Sequence, residues 1–119
     1  AMWRMLQQDG PDDFVVATGE SHTVREFLDE AFGLVGMDWT PHVVVDQKLF
    51  RPSETGELCG SAIKAQRKLG WMPTVTFKQL VRIMVASDLA SEGVDLARFG
   101  LGADLVEAPV PQLAGTWGY

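Results

Sequence analysis

The chain has 119 residues, enough for one domain with a modest core but not for two. Hydrophobic residues make up 46% and charged residues 22%, values of a globular protein that exclude a disordered, collagen-like or coiled-coil chain. The net charge of −6 argues against a general nucleic-acid binder, whose footprint is basic, and the apolar runs fall far short of the roughly 18 residues needed to cross a bilayer.

Residues 2–8 read as the end of a helix, stopped by Asp9-Gly10-Pro11-Asp12-Asp13. No capping residue precedes it, so its true start is expected upstream. Phe14 to Ala17 is a short apolar run bounded by turn residues and reads as a buried strand. Thr23 with Glu26 forms a capping box. Behind it Val24, Phe27, Leu28, Ala31, Phe32 and Val35 fall on one helical stripe, with Gly36 as the stop. Val43-Val44-Val45 reads as a second strand that ends at Asp46. Residues 47–60 form a polar connection. Ser61 is placed to cap a short helix over 62–69, ended by Gly70. Thr76 with Gln79 makes another capping box, and Phe77, Leu80, Val81, Met84 and Val85 mark a helix running to about Ala90. Residues 91–119 read as a loop-rich tail with one helical turn near Asp95 to Phe99.

This order predicts an α/β fold, α+β-like in its proportions, with a few short strands packed against helices. Two strands make no well-protected sheet alone. A partner is therefore expected, either another domain or a second copy of the chain. The division predicted is a lobe over 1–90 and a tail over 91–119.

Cys59 is the only cysteine, which excludes an intramolecular disulfide and a multi-cysteine zinc site and points to a reducing, cytoplasmic setting. His22 and His42 stand 20 residues apart with no acidic pair at ligand spacing beside them, so no metal centre is expected. Gly100-Leu101-Gly102 begins like a dinucleotide fingerprint but lacks the third glycine and a preceding apolar strand. Tyr119 is the only tyrosine, so a Tyr-x-x-x-Lys acid/base pair is impossible. Charge is uneven: residues 1–50 carry three basic and nine acidic side chains, whereas 51–119 carry seven of each. Lys64, Arg67, Lys68, Lys78 and Arg82 lie in a stretch free of acids. They form either a local anion-attracting face or ordinary solvated helix surfaces.

The segment Leu49-Phe50-Arg51-Pro52-Ser53-Glu54 carries the sharpest chemistry. Proline pushes the residue before it into extended geometry, so Arg51 projects from a strand-like arm. Its guanidinium can give two parallel hydrogen bonds to phosphate oxygens. Glu54, three residues on, can accept from two vicinal hydroxyls such as those of a ribose. Together they suit a nucleotide diphosphate; the competing reading is a surface turn with an exposed ion pair, worth about 0–1 kcal/mol.

Five segments in register carry a resemblance: Ala1 to Gln8, Val15 to Glu20, Thr23 to Phe27, Phe50 to Glu54, and Lys68-Leu69-Gly70-Trp71-Met72-Pro73. Over about residues 1–90 they resemble the C-terminal part of the GDP-mannose 4,6-dehydratase family, extended short-chain dehydrogenase/reductases. The resemblance implies the small substrate-binding lobe, without the Rossmann core that binds NADP and carries the catalytic groups. In that family the sugar is oxidised at C4, loses water across C5–C6 and takes the hydride back at C6. Arg51 resembles the family arginine on the substrate diphosphate, and Glu54 the glutamate on the ribose. The chain departs from the family after this motif, with Gly56 for an aspartate, Glu57 at an apolar position and Ser61-Ala62 for Asp-Pro.

The function implied is the GDP-mannose-binding portion of a dehydratase-like lyase, inactive by itself and holding no cofactor of its own. Its expected partners are a nucleotide sugar, bound weakly, and either a second copy or a Rossmann domain, with no nucleic acid and no membrane. The alternatives are a non-enzymatic self-association module and a fragment of a related sugar-nucleotide epimerase or reductase.

Overall fold

The computed structural model describes residues 1–49, 56 and 58–102. Four α-helices are found there: α1 (Met2–Met5), α2 (Val24–Leu34), α3 (Ile63–Leu69) and α4 (Phe77–Ser91). Single 3-10 turns cover Thr40–His42, Gln47–Leu49 and Leu96–Phe99.

Both capping boxes read from the sequence are formed. The Thr23 hydroxyl accepts from the Glu26 amide at 3.1 Å, and the Glu26 carboxylate accepts from the Thr23 amide at 2.7 Å. Thr76 and Gln79 repeat the exchange at 3.4 and 2.9 Å. Each box satisfies two amides that the first turn leaves without a helical partner. The far ends of α2 and α4 close alike: the amides of Met37 and Val94 donate to the carbonyls of Phe32 and Leu89, at 3.0 and 2.9 Å. That closure needs a left-handed residue, supplied by Gly36 at φ 69° and Gly93 at φ 70°.

α2 lies against α4, and the turn at Leu96–Phe99 packs back on α4. The buried apolar set is Ala65 and Leu69 from α3, Val81 and Ala86 from α4, and Leu101. Val81 and Leu101 are fully enclosed, each contributing about 1.5–3 kcal/mol by leaving water. The buried positions of α4 match the stripe read in the sequence only in part: Val81 goes inside, Leu80 and Met84 stay half open, and Ala86, outside the stripe, is buried. On α2, Val24 is 77% exposed and the rest of the stripe is half-buried.

Three basic side chains tie distant segments to these helices. The Arg4 guanidinium donates to the carbonyls of Leu69 (3.2 Å) and Gly70, closing the C-terminal end of α3 where partial negative charge gathers. Lys64 and Lys68 of α3 reach the Asp12 carboxylate at 2.6 and 2.9 Å. These two ammonium groups, Lys64 foremost, hold the Asp12 carboxyl well below the ordinary carboxylate range.

Three expectations are corrected. The α/β class rested on strands at Phe14 to Ala17 and Val43 to Val45, and among the described residues there is no strand. Both runs are free of helix, and Val43 is extended at φ −120° and ψ 126°, but among the described residues no backbone ladder joins either run to another. β-branched residues favour extended backbone, whereas a strand also needs a paired edge. Ser61 does not cap α3; Ala62 occupies that position without a side-chain bond. α1 ends at Met5 and continues only as a turn to Gln8. No helix among the described residues is long and apolar enough to cross a membrane.

Candidate functional site

Two stretches of chain approach closely in front of α3. A crevice of about 400 Å³ is lined by Ala17-Thr18-Gly19, by Cys59 to Ile63 and by Trp71-Met72-Pro73. Gly60 allows the approach: a Cβ there would lie 2.7 Å from the Ala17 Cβ and 3.5 Å from Val15 Cγ1. Thr18 holds the loop in shape, its hydroxyl 3.5 Å from the Glu20 amide. Thr18 and Pro73 also border a second hollow of about 240 Å³ that leads to His22, Phe77 and Leu80.

His22 joins the start of α2 to the start of α4. Its ring stacks on Phe77 with centroids 3.8 Å apart and planes 13° from parallel. Its nitrogens lie 3.4 Å from Glu20 and 3.7 Å from Glu26. The Glu26 carboxyl is held below its ordinary range, chiefly by the Thr23 amide and hydroxyl. Beyond this contact a hollow of about 350 Å³ is lined by Glu26, Asp29, Glu30 and Lys78. Lys78 is paired with Glu30 at 3.4 Å, so this hollow is acidic and unsuited to phosphate. His42 lies against Phe32, with ring centroids 5.9 Å apart.

Four of the five basic residues of the acid-free stretch have partners among the described residues. Lys64 and Lys68 are spent on Asp12, Lys78 on Glu30, and Arg82 on the Gly100 carbonyl. Cys59 is exposed and lies in the crevice wall.

Arg51 and Glu54 lie outside the described residues. The chain on either side of them is described. Before them, Asp46 closes the 3-10 turn Gln47–Leu49: its carboxylate accepts from the Lys48 amide at 2.9 Å and its carbonyl from the Leu49 amide at 3.0 Å. After them, the chain returns at Leu58 and enters the crevice wall at Cys59. The crevice itself was not foreseen from sequence, although Val15 to Glu20 and Lys68 to Pro73 supply two of its walls. Gly60 was the remaining signal, a glycine with no turn to explain it.

Nothing among the described residues fits the dinucleotide that the short-chain dehydrogenase resemblance implies. Gly100 ends a 3-10 turn, and the Leu101 side chain is fully buried rather than opening a phosphate loop. No strand precedes the pair of glycines. Pyrophosphate binding needs the strand, the glycine turn and a helix N-terminus together.

The family model described as GDP-mannose 4,6 dehydratase matches residues 1–84. GDP-mannose 4,6 dehydratase 1 of Arabidopsis thaliana is 58% identical over 89 residues, covering 75% of this chain and 25% of the relative. The GDP-mannose 4,6 dehydratases of Cricetulus griseus and Homo sapiens are 45% and 44% identical over 106 residues, each alignment covering 75% of this chain and 28% of the relative. The chain thus spans about a quarter of the length of the curated relatives it matches.

Proposed function

Because the chain belongs to the GDP-mannose 4,6 dehydratase family, we propose that it is the part of such a lyase that holds the nucleotide sugar. Arg51 takes the diphosphate of GDP-mannose, and Glu54 accepts from the ribose hydroxyls. The observation that carries this reading is the family match over residues 1–84, a span that contains Phe50-Arg51-Pro52-Ser53-Glu54. In the chain the turn at Asp46 precedes that segment, and the crevice-lining residues Cys59 to Ile63 follow it.

A diphosphate offers several oxygens that a planar guanidinium meets in pairs, and the carboxylate of Glu54 is an acceptor with room for two hydroxyls. NADP and the groups that move hydride and protons belong, in this reading, to parts of the enzyme other than the described residues. By itself the chain binds without turning over. Val44 and Val45 are 91% and 73% exposed, on backbone with no paired edge among the described residues. This favours association with further protein, whose sheet would turn the runs at 14–17 and 43–45 into strands and restore the α/β class.

Titration calorimetry with GDP-mannose tests the assignment. Arg51→Ala is expected to weaken binding at least tenfold, the loss of charge-assisted hydrogen bonds. Glu54→Gln is expected to weaken it less. Equal heats for the wild type and Arg51→Ala would remove the site.

A further inference from the structure

Lys64 is tied to three successive residues. Its ammonium meets the Asp12 carboxylate at 2.6 Å, donates to the Asp13 carbonyl at 2.8 Å and lies over the Phe14 ring, 5.1 Å from its centre. One turn along α3, Lys68 takes the second Asp12 oxygen at 2.9 Å. Charge-assisted contacts of this kind are stronger than neutral ones, and here they converge on one carboxylate. The next residues of the chain make the crevice contact: Val15 Cγ1 and Ala17 Cβ stand 3.5 and 2.7 Å from a Cβ placed at Gly60. Gly60 leads through Ser61 and Ala62 into α3. Both sides of the contact are therefore anchored on the same short helix, one by the peptide chain and the other by two lysines. Among the described residues no backbone hydrogen bond joins 14–19 to 58–63. The polar links from residues 12–14 to α3 are those of Lys64 and Lys68.

We propose that Asp12, Lys64 and Lys68 form an ionic strap that holds Ala17 against Gly60, so that the width of the crevice responds to ionic strength. Access to Ser61, Gln66 and Trp71, which line the crevice, follows the state of the strap. The Asp12 side chain is 32% exposed and the lysines are 46% and 59% exposed, so dissolved ions reach all three. Mild acid does not release the strap, because the two lysines hold the Asp12 carboxyl well below the ordinary carboxylate range. Salt is the agent that loosens it. The strap is built from described residues alone and does not depend on Arg51.

NMR of the isotope-labelled whole chain tests this through the nuclear Overhauser effect between the Ala17 methyl group and the Gly60 α protons. The salt is raised from about 0.01 M to about 1 M, which shortens the screening length from about 30 Å to about 3 Å. The wild-type signal is expected to weaken with salt, since exposed ion pairs move such an equilibrium by about twofold to fivefold. Asp12→Asn keeps the size of the side chain and removes its charge. Its signal is expected to be weak from the start and to change little with salt. Lys68→Met, which leaves Lys64 in place, is expected to fall between the two. The His22–Phe77 ring contact reports on the rest of the fold and should persist throughout.

A wild-type signal that is the same at both salt concentrations overturns the strap, since packing then holds the contact. Asp12→Asn that matches the wild type at low salt overturns it as well. So does salt that weakens the signal equally in both chains, because the salt then acts elsewhere.

Discussion

Gly60→Ala separates steric fit from conformational preference at the crevice. Gly60 does not lie at positive φ, so alanine can adopt its backbone without strain. On that ground alone the change would stabilise by about 0.4–1 kcal/mol, by narrowing the unfolded ensemble. Against it stands the new methyl group, 2.7 Å from the Ala17 Cβ. Carbon atoms in good contact sit about 3.5–4.0 Å apart, so the two walls must open by about 1 Å. Overpacking of this kind costs about 1–3 kcal/mol. Steric conflict wins, and a net destabilisation of about 1 kcal/mol is expected, a fall in thermal midpoint of about 4 °C for a domain of this size.

Two companion variants sharpen the result. Gly33→Ala, inside α2 with nothing within 4 Å of its added methyl, is expected to stabilise by about 0.8–1 kcal/mol. Ala17→Gly in the Gly60→Ala background removes the clashing carbon and should recover part of the loss. Thermal unfolding followed by circular dichroism reads all of these. A Gly60→Ala chain that melts at or above the wild-type midpoint would show that the two walls do not touch and that the crevice is not built as described.

The remaining expectations concern helix ends and pH. Thr76→Ala removes one half of the capping box of α4 and should cost about 1 kcal/mol in urea unfolding, with Gln79→Ala adding little once Thr76 is gone. The carboxyls of Asp12, Glu26 and Asp38 are all held below their ordinary range in the folded chain, by Lys64 and Lys68, by Thr23, and by Thr40 respectively. Lowered folded values mean that their stabilisation is present above the unfolded carboxylate range, near pH 4. It declines as pH falls through the folded values. An unfolding midpoint followed from pH 6 to pH 2 should drop at the acid end, and Asp12→Asn should flatten part of that drop. Arg4→Ala uncaps the α3 carbonyls and is expected to speed amide exchange in the last turn of α3.

Local signals in the sequence carried well where the physics is local. Thr23 and Thr76, each with a polar partner three residues on, mark helix starts because the hydrogen bonds involved span one turn. Glycines at 36 and 70 mark stops for the same reason. What failed was what needs a distant partner. Phe14 to Ala17 and Val43 to Val45 have the composition of strands, yet a ladder depends on chain that sequence pattern does not supply. Ser61 looked like a cap, but the helix begins one residue later than its hydroxyl can serve. On α4 apolar residues are spread around the helix, and packing encloses Val81 and Ala86 while Leu80 and Met84 stay half open. The crevice was invisible for the same reason, since Ala17 and Gly60 lie far apart in sequence. Arg51 and Glu54, read from a proline-stiffened motif, lie outside the described residues, and binding measurements decide their role.

Nitrogen-15-labelled chain titrated with GDP-mannose and followed residue by residue by NMR tests the central claim most directly. The account predicts shifts concentrated between Asp46 and Ala62, centred on Arg51 and Glu54 and lost in Arg51→Ala. Shifts confined to the acidic hollow around Glu30, or a spectrum untouched by saturating nucleotide sugar, would contradict it.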